Sequence, residues 1–288
     1  MTELTVLSWN LFHGRDAPPN PAIQRRALHL QKGPLDDGAY LQLNRSLEDE
    51  FAGLIAAARW SVCVLQEAPP GWAEDLGRRC GAQVVCTLTS RNQFAPLTRL
   101  IARWRPDLLG SWEGGSNMTL VRPPWEVVAG SERSIVLNPL RERRLAERRR
   151  LTFVRVRETA GGGIVCVGNM HLSGGARAQA ERELRRAAKA TVAWAQGDPL
   201  VFAGDFNLRP KSSPDPFAQL ARDFGLVGVT SADAIDHILA RGLDRVGPTA
   251  HWEAARRELE VPRNGETRRI RLSDHAPVAV TFGTSRMR

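Results

Sequence analysis

The chain has 288 residues, of which 42% are hydrophobic and 25% charged. That is an ordinary globular composition, long enough to bury a core without disulfides or a structural metal. No apolar run approaches the roughly 20 residues of a membrane helix, which excludes stable membrane insertion by helices. The opening MTELTVLSWN lacks a basic n-region and an apolar h-region, so the expected location is cytoplasmic. The net charge is +9, and 37 of the 40 basic residues are Arg. A GC-rich coding genome explains that skew as readily as phosphate binding does, but positive potential still favours a polyanionic partner.

In chain order, residues 4–9, 62–65, 151–156, 164–167, 200–203 and 277–282 read as short strands rich in Val, Ile and Leu. Apolar residues at helical spacing predict helices over 47–58, 176–195 and 216–224, the last stopped by Gly225. Pro- and Gly-rich stretches at 15–21, 110–116 and 209–216 read as loops. The irregular alternation of strands and helices predicts a layered α/β protein. The run 141–150 (RERRLAERRR) is either a solvated face or an edge that tracks phosphates. Cys63, Cys80, Cys86 and Cys166 form no CxxC pair, and three sit among apolar neighbours. Reduced, buried thiols are therefore expected.

Several apolar strands end in residues that a core would not choose. The first runs into Asn10, the second into Glu67, the fourth into His171, and the fifth into Gly204-Asp205-Phe206-Asn207. The last strand is preceded by Leu272-Ser273-Asp274-His275. Taken singly, each reads as a surface carboxylate, a turn or a cap. Strand ends converging on one sheet edge would instead bring carboxylates, amides and imidazoles together as a metal and acid/base site. Five such endings along one chain carry that reading.

The ordered set Ser8-Trp9-Asn10, Leu65-Gln66-Glu67, Asn169-Met170-His171-Leu172, Gly204-Asp205-Phe206-Asn207, Ile235-Asp236-His237-Ile238 and Ser273-Asp274-His275-Ala276-Pro277 resembles the endonuclease/exonuclease/phosphatase superfamily. The resemblance spans residues 5–282. It implies a single domain over 1–288 with a four-layer α/β/β/α sandwich, two packed mixed sheets flanked by helices, and an insertion around 17–44. It also implies hydrolysis of a phosphoester by water, dependent on Mg²⁺, for which Mn²⁺ can substitute. By the same resemblance Glu67 is the main metal ligand with Asn10 beside it, and Asp274 contributes to the metal cluster. Oxygen donors of this kind suit a hard cation. Asp205 and Asn207 orient the attacking water and the phosphate. His275 is general base or transition-state stabiliser, with Asp236 fixing its imidazole, and His171 serves the phosphoryl oxygen or the leaving group. Asn117 is either a phosphate contact or a strand start.

The resemblance does not name a substrate. Charge favours nucleic acid; the alternatives are a phosphorylated small molecule or a lipid head group (inositol phosphate or sphingomyelinase type), and a non-catalytic binding module. A monomer is expected. The abasic-site endonucleases carry Asp two residues after the strand-end Asn, where this chain has Phe12. His13 reads as a loop residue, His237 as a strand residue, and His29 and His251 as surface residues. Trp72, Trp104 and Trp112 are buried at a sheet edge or line a binding wall.

Overall fold

Alternation of apolar residues along the strands decides the layering. We describe a computed structural model covering residues 3–24, 34–43, 46–89, 97, 100, 115–138, 148–160 and 163–283. The strands are β1 (Glu3–Asn10), β2 (Leu35–Asp36), β3 (Leu41–Gln42), β4 (Val62–Ala68), β5 (Gln83–Leu88), β6 (Ser116–Val121), β7 (Trp125–Val127) and β8 (Arg133–Val136). They continue with β9 (Arg150–Glu158), β10 (Ile164–His171), β11 (Leu200–Asp205), β12 (Asp236–Arg241), β13 (Asp244–His251), β14 (Glu258–Arg263), β15 (Glu266–Arg271) and β16 (Val278–Gly283). Among the described residues, four α-helices have defined bounds: α1 (Glu48–Ala57), α2 (Ala73–Cys80), α3 (Arg177–Ala195) and α4 (Pro214–Phe224).

One sheet runs β13-β16-β1-β4-β6-β5; the other runs β12-β11-β10-β9-β7, with β8 also on β9. Each is mixed, because β1 pairs β4 and β10 pairs β11 in parallel while the remaining neighbours are antiparallel. Between the sheets lies a layer rich in β-branched residues, including Val6, Val64, Val154, Val167, Val201 and Ile238, side chains that suit pleated surfaces packed face to face. The opposite face of the first sheet packs Leu7, Trp9 and Leu65 against Phe51 and Ile55 of α1 and Leu76 of α2. On the second, Phe202 and Met170 meet Leu184 and Ala188 of α3 and Leu220 of α4. The result is helix, sheet, sheet, helix.

Several strands have no counterpart in the sequence reading. β5 is a half-exposed edge, and in the β14–β15 hairpin (ELEVPR and ETRRIR) the core-facing Leu259, Val261 and Ile270 are outnumbered by charged residues. Among the described residues no helix is long and apolar enough to cross a membrane. Cys63, Cys80 and Cys166 are buried free thiols, whereas Cys86 is exposed. Trp72 is buried against Phe51 in the first outer layer. Residues 25–33, including His29, together with Trp104, Trp112 and positions 141–147 of the Arg-rich run, lie outside the described residues.

Arg122, which follows β6, is a fastener for this fold. Its guanidinium donates to the carbonyls of Ile55, Ala56 and Ala58 at the end of α1 and of Cys80 at the end of α2, and it stacks 3.6 Å from the Trp60 ring centroid. A cation at two helix C-termini also meets both macrodipoles favourably. Arg122→Ala strands those carbonyls and is expected to cost about 3 kcal/mol in chemical denaturation. A loss below about 0.5 kcal/mol, the size usual for a surface change, would contradict this assignment.

His237 of β12 is fully buried, edge-on to Phe206 and Phe217. Its Nδ1 accepts from the Thr230 N–H, and its Nε2 faces the Leu208 carbonyl. Burial lowers its pKa to about 4. The unfolded chain therefore binds a proton between pH 6.5 and 4 that the folded protein refuses, so this stability is complete above 6.5 and is lost as pH falls through that window. The expected loss between pH 7.5 and 5 is about 2 kcal/mol. His237→Gln should remove that component from urea titrations at the two pH values; an unchanged pH dependence would count against it. His251, by contrast, is exposed on β13.

Candidate active site

The inward faces of four strands turn from apolar to polar at one end of the sandwich. On β1 the inward residues are Leu4, Val6, Ser8 and Asn10; on β10 they are Val165, Val167, Asn169 and His171. β11 gives Val201, Ala203 and Asp205, and β12, running the other way, gives Ala240, Ile238 and Asp236. The parallel pairs bring Asn10 beside Gln66 and His171 beside Asp205. Beneath them a polar layer joins the sheets. Gln66 Nε2 donates to Asn169 Oδ1 at 2.9 Å, and Asn169 Nδ2 donates to the carbonyls of Leu65 and Met118.

Simple alternation would send Glu67 outward with Cys63 and Leu65. Instead the β4–β6 register shifts between Leu65 and Ala68, and Glu67 takes φ 49°, a bulge that re-aims the side chain. Asn207 is left-handed as well (φ 50°). Gly204 is required where β11 crosses β10, because a Cβ there would lie 2.0 Å from the Met170 carbonyl oxygen.

These elements enclose a cavity of about 210 Å³. Ten described residues line it. Eight present polar or charged side chains: Asn10, Glu67, Arg149, His171, Asp205, Asn207, Asp274 and His275. Phe12 and Gly174 complete the wall. Asp205, 1% exposed, accepts from Asn10 Nδ2 at 3.0 Å and from the Asn207 N–H at 2.9 Å. His275 Nδ1 lies 2.8 Å from Asp236 Oδ2, and its Nε2 is 3.8 Å from Asp205 Oδ2 and 3.7 Å from Asp274 Oδ1. His171 Nε2 is 3.4 Å from Asp205 and 3.7 Å from Glu67.

Burial is the largest influence on Asp205 and, with the nearby Asp236 carboxylate, raises its pKa to about 7. Burial opposes the charged form of His275, but Asp236 and Asp205 outweigh it and hold the imidazole at about 10. His171 falls well below its ordinary value through burial, helped by the Arg149 charge.

Two shells of hydrogen bonds hold these groups in place. Ser273, left-handed at φ 60°, donates from Oγ to the Asn10 carbonyl (2.6 Å) and accepts from the His275 N–H (3.0 Å). The buried Arg257 guanidinium donates to the Leu272 and Ser273 carbonyls, and Trp9 Nε1 donates to the His275 carbonyl. On the other side, the buried Glu183 of α3 accepts from the Ser173 N–H and hydroxyl, which fixes the loop after His171.

The structure thus brings together Asn10, Glu67, His171, Asp205, Asn207, Asp236, Asp274 and His275. Asn117 stands apart: it is the second residue of β6, fully buried, and its amide donates to the Arg150 carbonyl. Three residues near or in the wall were not assigned to the site from sequence. His13 lies in a short 3₁₀ turn but reaches Glu67 at 3.3 Å; its place three residues after the strand-end Asn was the available signal. Arg149 stands 2.8 Å from the His171 ring nitrogens, and the half-buried Phe12 lines the cavity.

Among the described residues, Asp205, Asp236 and His275 form a cluster of ligand-type atoms, all within 4.8 Å of one another. There the 2.8 Å bond already commits Asp236 and one imidazole nitrogen. Glu67, Asn10 and Asp274 present further oxygen donors to the same cavity, donors of the kind that suits a hard divalent cation. A buried carboxylate at Asp205 whose ionisation is suppressed also fits a nearby cation.

Two mixed sheets between helices, with acids, amides and imidazoles at one edge, define a phosphoester hydrolase. The sequence profile described as the Endonuclease/Exonuclease/phosphatase family matches residues 7–275, and the chain belongs to that family of phosphoester-hydrolysing enzymes, which are generally divalent-metal-dependent. No curated protein matches it significantly by sequence. Similar solved structures include an endonuclease/exonuclease/phosphatase family protein from Bacteroides thetaiotaomicron, at TM-score 0.64 and 14% identity over 98% of this chain and 95% of that one. A mannosyl-6-phosphatase from the same species gives TM-score 0.62 at 14% identity, covering 97% and 99%. The human Nocturnin catalytic domain, with a bound sulfate anion, gives 0.59 at 17%, covering 98% and 95%. At these identities the likeness is one of fold.

Proposed function

We propose that the protein hydrolyses a phosphodiester of nucleic acid with Mg²⁺ as cofactor. The observation that carries this reading is the single cavity in which Glu67, Asn10 and Asp274 offer hard oxygens while Asp205, His171 and His275 face the same space. The net charge of +9 favours a polyanion as substrate.

Glu67, Asn10 and Asp274 would hold the cation. When bound, it supplies Lewis-acid stabilisation of charge on the phosphoryl oxygens. Asp205, with Asn207 beside it, orients the attacking water and takes its proton. Asp236 ties down His275 Nδ1, so that Nε2 points at the phosphoryl group and stabilises its developing charge. His171 donates to a second phosphoryl oxygen or to the leaving group.

Supercoiled plasmid tests the reading. Nicking in Mg²⁺ is expected at neutral pH, to be abolished by EDTA and restored by excess Mg²⁺ or Mn²⁺. Nicking that persists in EDTA would contradict it. The likeness to a mannosyl-6-phosphatase favours a second reading, a phosphorylated small molecule. Intact plasmid, from protein that hydrolyses sugar phosphates in the same buffer, would select that one.

A further inference from the structure

We propose that Phe12 is a specificity-determining wall of the cavity and that the substrate carries a planar ring next to the reacting phosphate, as a nucleotide does. This rests on the phosphodiester reading above and narrows its substrate. Phe12 is the one apolar side chain among the described residues lining a cavity that is otherwise polar. A benzyl group neither holds a cation nor moves a proton, so the hydrolytic chemistry gives no reason for it there.

The backbone shows that the position is built. Phe12 and His13 are both left-handed, at φ 50° and 55°, and Gly14 follows at 73°. Consecutive non-glycine residues in that region are disfavoured and persist only where the surroundings enforce them. Here the Phe12 N–H donates to Asn10 Oδ1 at 2.9 Å and the Gly14 N–H to the Leu11 carbonyl at 2.9 Å. Gly14 admits no side chain, because a Cβ would sit 2.2 Å from the Trp72 ring. Burial is not what the turn achieves for Phe12. Its neighbour Leu11 enters the aromatic core at 0% exposure, whereas Phe12 stays half-buried at the cavity.

A cavity of about 210 Å³ takes a phosphate and part of one substituent, and Phe12 is the one apolar side chain of the described lining that this substituent can meet. A nucleobase has a flat face for that ring, and stacking of this kind tolerates any base. A sugar phosphate or a lipid head group has none. The enzyme therefore selects nucleotides without reading their sequence.

The test compares a ten-residue oligothymidylate with a ten-residue base-free tetrahydrofuran phosphodiester of equal charge, in Mg²⁺. Wild-type protein should prefer the oligothymidylate in kcat/KM. Phe12→Asn should lower that preference about tenfold, and Phe12→Trp should keep it. Asn is chosen because it enters the left-handed region readily, and a thermal melt checks its fold. Equal rates on the two polymers in wild type, or an unchanged ratio in Phe12→Asn, would overturn the inference and leave the phosphodiester reading intact. Cleavage of neither polymer by wild type would overturn both.

Discussion

Asp205→Asn is expected to lower turnover by about a thousandfold without unfolding the protein. The carboxylate is 1% exposed and sits between Asn10 Nδ2, the Asn207 N–H and the two imidazoles. Amide for carboxylate preserves shape but removes the charge that aligns the water and the group that accepts its proton. The stability effect has the opposite sign. With its pKa raised to about 7 by burial, Asp205 is protonated in the fold where the unfolded chain is ionised, so it destabilises increasingly as pH rises from 3.8 to 7. In EDTA at pH 7.5 the variant should melt no lower than wild type. Loss of activity without loss of stability marks a group kept for chemistry. Near-normal turnover would remove Asp205 from the mechanism.

The second large effect concerns the Asp236–His275 pair. With Nδ1 2.8 Å from Asp236 Oδ2, the imidazole presents Nε2 to the cavity in one orientation. His275→Ala should reduce kcat by about a hundredfold to ten-thousandfold and Asp236→Asn by about a hundredfold. Because Asp236 acts through His275, the double variant should be no slower than His275→Ala alone. Multiplying losses would mean that Asp236 works independently, and the pairing would lose its functional meaning.

Much of this arrangement was legible before any coordinates. Strand endings at Asn10, His171 and Asp205 follow from a period of two: once a strand's inward face is apolar, the next inward position at its end is the polar one. Glu67 was legible as a residue but not in its direction, which depends on a bulge against β6, a partner about 50 residues away in the chain. The turn at Phe12–Gly14 owes its shape to Trp72 and the Asn10 side chain, contacts without local signature. Arg149 was hidden inside an Arg-rich run. Only the pairing of β9 with β10 carries it beside His171. Arg257 and Glu183 carry no sequence signal of their burial, because the groups they bind lie in loops outside their own elements. Arg122 has no local signature either, since the carbonyls it binds end two helices far from it in sequence.

The most direct measurement is hydrolysis of bis-p-nitrophenyl phosphate by wild type and Asp205→Asn, each with Mg²⁺ and with EDTA. It asks for phosphodiester chemistry without assuming a biological substrate. Hydrolysis by wild type in Mg²⁺, lost in EDTA and lost in Asp205→Asn, is the predicted result. Equal rates in wild type and variant, or a rate that EDTA does not touch, would contradict the placement of the reaction in this cavity.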